Sequence, residues 1–223
     1  MSKVEAVIFD MDGLMFDTEP IYYQANQNTA DKLGMDYSFK VYEQFIGSGD
    51  IEYRTKMRKI YSNHGDDLLD QFFVDSTKEL EYILLHGQVD MKPGLLELLK
   101  YLQKEKIIAI VASSTNRILV DQLLERLNVR QYFQGVIGGD EVEMAKPHPE
   151  IFNRAFDKTK LEDKQNALVL EDSKNGVKAA YGAELPTILI PDLLTPDEEI
   201  KDKVVAVFSD LHQVINYINN KNN

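Results

Sequence analysis

The sequence contains no cysteine and no tryptophan, and it has no long hydrophobic run. With 0 Cys among 223 residues, disulfide bonds, thiolate metal ligands and a cysteine nucleophile are excluded. No apolar run reaches the roughly 18 residues that a membrane span needs. Glu5 and Asp10 interrupt the first apolar run, so no secretory signal is expected. A cytoplasmic protein that does not associate with membranes is therefore predicted.

Basic residues are scarce relative to acidic ones. Lys and Arg number 25 against 37 Asp and Glu, which gives a formal net charge of −12. Such a protein repels phosphate backbones, so nucleic acid is not an expected partner. A small phosphate would also need a local cation or a cluster of donors. The hydrophobic fraction of 43% is nevertheless typical of a folded globular protein.

Six short apolar runs, mostly continuous rather than alternating, predict strands that are covered on both faces, as in a parallel sheet. They are residues 4–9, 107–112, 136–137, 167–170, 187–190 and 204–208. Between them, leucines recur at helical spacing, as in the segments 95–102 and 120–127. This alternation predicts an α/β fold with a doubly wound, Rossmann-like parallel sheet.

The alternation is interrupted by a segment with helical patterns and no convincing strand. A connection of this length far exceeds the usual 2–6 residues or so between a strand and a helix. We therefore predict an inserted α-helical cap domain at residues 18–90, and an α/β catalytic core formed by residues 1–17 and 91–223. The first cap helix is expected to begin at Asp17 or Thr18, with Pro20 in its first turn.

The motif VIFDMDG places Asp10 at the end of the first predicted strand and Asp12 two positions later. Ligands of open α/β sheets bind beyond the carboxyl ends of the strands. Two carboxylates there could share a cation, or act as a nucleophile and an acid/base. Asp and Gly also favour turns, so this motif alone leaves a purely structural role open.

A second acidic pair, Glu171 and Asp172, ends another predicted strand in LVLEDS. It could simply complement the dipole of the helix that Ser173 begins. Two strand ends that each deliver an acidic pair would also supply the hard oxygen ligands that Mg²⁺ prefers. The coincidence favours a metal site.

Two further segments could bind an anion. Ser113, Ser114 and Thr115 follow the strand IVA and offer hydroxyls together with the N–H groups of a helix start, although an ordinary helix cap is the alternative. Lys146 in AKPHPEIF follows the short run at 136–137, where its charge could offset that of a phosphate. The acidic segment 191–202 is predicted to be a solvated loop.

Along the chain these four motifs follow one another as VIFDMDG, the Ser113 segment, AKPHPEIF and LVLEDS. In this order they resemble those of the haloacid dehalogenase-like hydrolase superfamily, and within it the β-phosphoglucomutase-like group, which has a helical cap after the first strand. The resemblance implies that Asp10 is a nucleophile that forms an aspartyl-phosphate. It implies that Asp12 is the general acid/base, with its backbone carbonyl on Mg²⁺. Asp10 and Asp172, together with Glu171, are expected to hold the metal.

The same resemblance implies that Ser113 and Lys146 hold the phosphoryl group. Ser114, Asn116 and Arg117 lie next to the first of these. We expect this segment to bind substrate, with Asn116 or Arg117 contacting the part of the substrate beyond the phosphoryl group. The expected partner is a small-molecule phosphate ester, and a monomer is predicted.

Two positions in the predicted cap bear on the reaction. Phosphoglucomutases of this group carry a His and an Arg there that grip the hexose and its second phosphate, and the matching residues here are Tyr22 and Asp50. An Asp in place of that Arg would repel a bisphosphate. The predicted activity is therefore a Mg²⁺-dependent phosphatase of small phosphorylated metabolites, with sugar phosphates preferred, and β-phosphoglucomutase is the alternative.

Two other classes are less favoured. A signalling receiver that is phosphorylated on Asp also uses acidic residues, Ser or Thr and Lys on a similar sheet. It needs neither a second Asp to protonate a leaving group nor a long helical insertion. A non-catalytic relative is disfavoured because every motif carboxylate is present.

Overall fold

The computed structural model describes residues 3–193 and 196–222, except for the side chain of Asp50. The chain divides into two compact units. One, the α/β unit, contains the residues up to Phe16 together with those from Met91 onward, and the other, the helical unit, is Asp17–Asp90. The assignment of these units as a catalytic domain and a cap stays a prediction.

The α/β unit is built on a parallel sheet. Its six strands within the described residues are β1 Ala6–Phe9, β2 Ile108–Ala112, β3 Gly135–Ile137, β4 Ala167–Glu171, β5 Thr187–Leu189 and β6 Ala206–Val207. Their order is β3-β2-β1-β4-β5-β6, and every neighbouring pair is parallel. The predicted doubly wound α/β class is confirmed.

Helices connect the strands and also form the second unit. Within the described residues there are ten α-helices: α1 Glu19–Leu33, α2 Phe39–Tyr42, α3 Asp50–Ile60, α4 Asp66–His86, α5 Leu95–Glu105, α6 Arg117–Arg126, α7 Glu150–Thr159, α8 Lys174–Gly182, α9 Glu198–Lys201 and α10 His212–Asn222. Among these residues, no helix is both long and apolar enough to span a membrane.

The core of the α/β unit follows from the continuous apolar strands. All four residues of β1 are buried, as are Leu95, Leu98, Leu99 and Leu102 on one side of α5. Phe152 and Ile151 of α7 pack in one cluster with Ile8 of β1. Burying a side chain of this size contributes about 1.5–3 kcal/mol. This core fixes the strands whose carboxyl ends carry the polar residues.

The helical unit has a core of its own, rich in aromatic residues. Phe72 and Phe73 of α4 and Met57 of α3 are buried in one cluster with Tyr37 and Tyr42. Helix α1 begins at Glu19, one residue after the predicted Thr18, which is its N-cap residue, and Pro20 lies in its first turn as predicted. The sixth predicted strand is shorter than expected, because only Ala206–Val207 pair with β5.

Candidate active site

The acidic residues gather at one edge of the sheet. Asp10 directly follows β1, and its backbone N–H donates to the carbonyl of Leu170 in β4 at 3.0 Å. Glu171 is the last residue of β4, and Ser113 directly follows β2. Because β1 lies between β2 and β4, the residues that end these three strands are brought together.

A buried lysine joins two of these carboxylates. The Nζ of Lys146 lies 2.5 Å from Asp10 Oδ1 and 2.7 Å from Glu171 Oε1. The side chains of Lys146, Asp10 and Glu171 are only 7%, 9% and 0% exposed, respectively. Nζ also lies 4.7 Å from the ring centre of Phe152. One cation thus faces two carboxylates away from solvent.

Burial and neighbouring charges together set the protonation of this cluster. Burial raises the pKa of Asp10 to about 8, against the effect of Lys146 and with help from the charges of Glu171 and Asp12. Burial alone would lower the pKa of Lys146, but the charges of Asp10 and Glu171 outweigh it and raise that pKa. The lysine therefore stays charged, and the acidic cluster is still short of positive charge.

Glu171 is fixed on both of its oxygens. Its Oε2 accepts hydrogen bonds from the backbone N–H groups of Asp172 and Ser173, both at 2.9 Å, and from the hydroxyl of Ser173 at 3.0 Å. Any side chain at Gly176 in α8 would collide with this carboxylate. The start of α8 therefore closes over Glu171 and holds it toward Lys146.

Asp12 is held by hydroxyls from the loop after β2. Its Oδ2 accepts hydrogen bonds from Thr115 Oγ1 at 2.9 Å and from Ser113 Oγ at 3.3 Å. Ser113 Oγ in turn accepts from the N–H of Thr115 at 3.0 Å. Thr115 was not identified from the sequence as a partner of Asp12. The feature that could have indicated this contact is a hydroxyl shortly after the end of a strand.

The helix after β2 begins later than the sequence suggested. Asn116 is its N-cap residue and accepts from the N–H of Ile118 at 2.9 Å, so neither Ser113 nor Ser114 caps it. Arg117 pairs with Glu141 at 3.0 Å and with Asp121 at 3.4 Å. The predicted substrate residues Asn116 and Arg117 therefore have local partners, and Ser114 is exposed.

Three carboxylates could hold a metal ion. Oxygens of Asp10, Glu171 and Asp172 lie within 4.8 Å of one another. Burial raises the pKa of Asp172, and the charges of Glu171 and Asp10 raise it further. Such a set of hard, mutually repelling oxygen donors fits Mg²⁺. The side chain of Asp12 is not in this group.

A further acidic residue lies in the segment that was predicted to be a solvated loop. The side chain of Asp192 is only 9% exposed, and its Oδ1 pairs with Lys92 Nζ at 2.6 Å. The prediction of a solvated loop is therefore wrong at this residue. Asp192 follows the predicted strand 187–190 by two positions, which is the signal that could have identified it.

Comparisons with known proteins decide the family. The family model for haloacid dehalogenase-like hydrolases matches residues 7–190. The chain belongs to this family. This confirms the resemblance drawn from the four motifs, and it confirms the predicted hydrolase of the haloacid dehalogenase-like type.

Individual members of the haloacid dehalogenase-like hydrolases are similar over most of their length. A phosphorylated carbohydrates phosphatase of Thermotoga maritima is 30% identical over 185 residues, covering 83% of this chain and 84% of the relative. A (DL)-glycerol-3-phosphatase of Arabidopsis thaliana is 28% identical, covering 93% and 89%. These names support the class of phosphoric monoester hydrolases.

A crystal structure from Thermotoga maritima, provisionally named a beta-phosphoglucomutase, superposes with a TM-score of 0.80. It is 27% identical, and the match covers 97% of this chain and 99% of that one. The two proteins therefore share a fold over nearly all of this chain.

Proposed function

We propose that the protein is a Mg²⁺-dependent phosphatase of small phosphorylated metabolites, with sugar phosphates as the first candidates. The observation that carries this proposal is the position of Asp10. It lies at a strand end, where its Oδ1 contacts the ammonium of Lys146 and its carboxylate lies near those of Glu171 and Asp172, with Asp12 two residues away. The phosphatases among the relatives support the same reaction.

In the proposed mechanism, Asp10 attacks the phosphorus of the ester and the bond to the sugar oxygen breaks. Lys146 offsets the negative charge that this attack brings together, because it already contacts Asp10 Oδ1. The product of this step is an aspartyl-phosphate on Asp10. Covalent capture divides one difficult displacement into two easier ones.

Asp12 would move the protons. It protonates the departing sugar oxygen in the first step and then takes a proton from the water that attacks the aspartyl-phosphate, which releases phosphate and restores Asp10. Ser113 and Thr115 orient its carboxyl group through Oδ2. A bound Mg²⁺, held by Asp10 and Asp172 with Glu171 nearby, would supply positive charge to the transferring group.

The helical unit is proposed to act as a cap that restricts water and selects the substrate. Tyr22 lies in α1 of this unit. The side chain of Asp50 lies outside the described residues, so the argument against a second phosphate at that position stays a prediction. The proposal also includes that the protein is cytoplasmic and monomeric.

A phosphate-release assay over a panel of sugar phosphates tests this function. We expect turnover with Mg²⁺, none with EDTA, and a loss of about 10⁴-fold or more in Asp10→Asn, because the nucleophile is removed. Asp67→Asn, which changes an exposed carboxylate in α4, should remain within about twofold of the parent and controls for charge. An active Asp10→Asn protein would contradict the mechanism.

The second candidate, a β-phosphoglucomutase, is favoured by the crystal structure from Thermotoga maritima that carries this provisional name. Supplying β-glucose 1-phosphate with a trace of glucose 1,6-bisphosphate separates the two reactions. Free phosphate is the product expected of the proposed phosphatase. Glucose 6-phosphate as the main product would replace the proposal with the mutase.

A further inference from the structure

Asp192 is a buried carboxylate with only one of its oxygens engaged. Its Oδ1 accepts a hydrogen bond from the ammonium of Lys92 at 2.6 Å. Oδ2 is buried and has no hydrogen-bond partner among the described residues. Leaving a buried carboxylate oxygen without a hydrogen-bond partner is unfavourable. The proposed mechanism gives this residue no role.

The unpaired oxygen lies next to the acidic cluster. Gly13, with φ 77°, follows Asp12, and a β-carbon built there would collide with Asp172 Oδ2 and lie 3.3 Å from Asp192 Oδ2. Both oxygens therefore converge on the same glycine. The charge of Asp192 also contributes to the raised pKa of Asp172.

Lys92 anchors Asp192 in this position. The backbone N–H of Lys92 donates to the carbonyl of Met15 at 2.9 Å, which ties it to the loop that follows β1. Its side chain is 21% exposed. The ion pair therefore fixes Oδ1 from the side of that loop and leaves Oδ2 facing Gly13 and Asp172.

We propose that Asp192 is a positioning residue of the cation site. Its Oδ2 would accept a hydrogen bond from water around a divalent cation held by Asp10 and Asp172, and its charge would add to the attraction for that cation. Lys92 would keep the carboxylate at this outer position by holding Oδ1. This inference rests on the proposed function, because it presumes the metal site.

A structural role alone does not account for the arrangement. A lysine that served only to neutralise Asp192 could engage both oxygens, and an ion pair with no other role would not need to face Asp172. Facing Asp172 with an unpaired oxygen is unfavourable without a cation, because two carboxylates repel in a poorly solvated site. A cation with its water would satisfy both groups.

Binding of Mn²⁺ as a probe for the divalent cation, measured without substrate, tests the proposal. The concentration of free Mn²⁺ is read from its electron paramagnetic resonance signal in a titration of the full chain. Asp192→Asn keeps the shape of the side chain and removes its charge. We expect it to weaken Mn²⁺ binding by about 10-fold, the lower end of the effect of residues that support metal ligands indirectly.

Two further variants make the measurement decisive. Glu79→Gln removes the charge of another carboxylate that pairs with a lysine at 2.6 Å, in the helical unit, and should leave Mn²⁺ binding unchanged. Asp192→Ser provides the same test should Asp192→Asn fail to fold, as judged by its melting temperature in EDTA. It should also weaken binding.

The outcomes separate this inference from the proposed function. Unchanged Mn²⁺ affinity in the Asp192 variants, with normal binding by the parent protein, would overturn only the role of Asp192. Absence of Mn²⁺ binding by the parent protein would overturn both the metal site and this inference. Equal weakening by Glu79→Gln would attribute the effect to net charge and would also overturn it.

Discussion

The two units of the chain differ in how exposed their ion pairs are to solvent. In the α/β unit, Lys146 is 7% exposed and lies between Asp10 and Glu171, which are also buried. In the helical unit, Lys32 is 66% exposed and pairs with Glu79 at 2.6 Å. Both lysines contact a carboxylate at similar distances, but only the first does so away from water.

The difference shows that geometry alone does not set the energy of an ion pair. Charges that are removed from water interact strongly and are costly when one partner is lost, whereas exposed pairs contribute roughly 0–1 kcal/mol. A buried set with more acids than bases is unfavourable for folding. Its presence at the strand ends is typical of a functional site.

The largest expected effect is on the buried lysine. Lys146→Met should lower the free energy of unfolding by about 3–5 kcal/mol, because two buried carboxylates lose their cation. Urea unfolding at pH 7 in EDTA measures this change. A decrease below about 1 kcal/mol would show that water reaches the cluster and would remove the contrast between the units.

An intermediate effect tests whether the helical unit has a separate core. Leu69 in α4 is 1% exposed. Leu69→Ala should lower the free energy of unfolding by about 3 kcal/mol, because it leaves a cavity in the core of the helical unit. Native-state hydrogen exchange should show the loss of protection in α1 and α4, with β1 and β4 little affected.

Val74→Ala, at a position that is 54% exposed on the same helix, is the control and should stay within about 0.5 kcal/mol of the parent. Equal loss of protection in both units after Leu69→Ala would mean that the chain opens as a single cooperative unit.

The smallest effect concerns the exposed lysine. Lys32→Met should lower the free energy of unfolding by about 0.5 kcal/mol or less at pH 7. The hydrogen bond from Lys32, aided by Asn28, lowers the pKa of Glu79. The stability that the Lys32–Glu79 pair contributes is therefore present above the ordinary pKa of a Glu. It is lost as the pH falls through the lowered pKa of Glu79.

Unfolding curves of the parent and Lys32→Met at several pH values check this prediction. The two proteins should converge in strong acid, where Glu79 is protonated and the pair no longer exists. A cost at pH 7 that equals the cost of Lys146→Met would contradict the comparison between buried and exposed pairs.

Much of the fold was predictable because its signals are local. The continuous apolar runs identified the strands, with β1 at Ala6–Phe9 inside the predicted 4–9 and β4 at Ala167–Glu171 extending the predicted 167–170 by one residue. The motifs at strand ends then indicated Asp10 and Glu171, since parallel strands end at the same edge. The motif AKPHPEIF indicated Lys146. The start of the helix after β2 was not predicted, because Asn116 rather than Ser113 or Ser114 caps it.

The α/β class, the helical segment and the residues that end the strands could be predicted from the sequence alone, because apolar periodicity and short motifs are local patterns. Which charged groups lie together away from solvent depends on the tertiary structure. Lys92 and Asp192 are 100 residues apart, and no local pattern reports their contact. The contact between Lys92 and Asp192 depends on which segments the folded chain packs together. The same is true of the difference in exposure between Lys146 and Lys32.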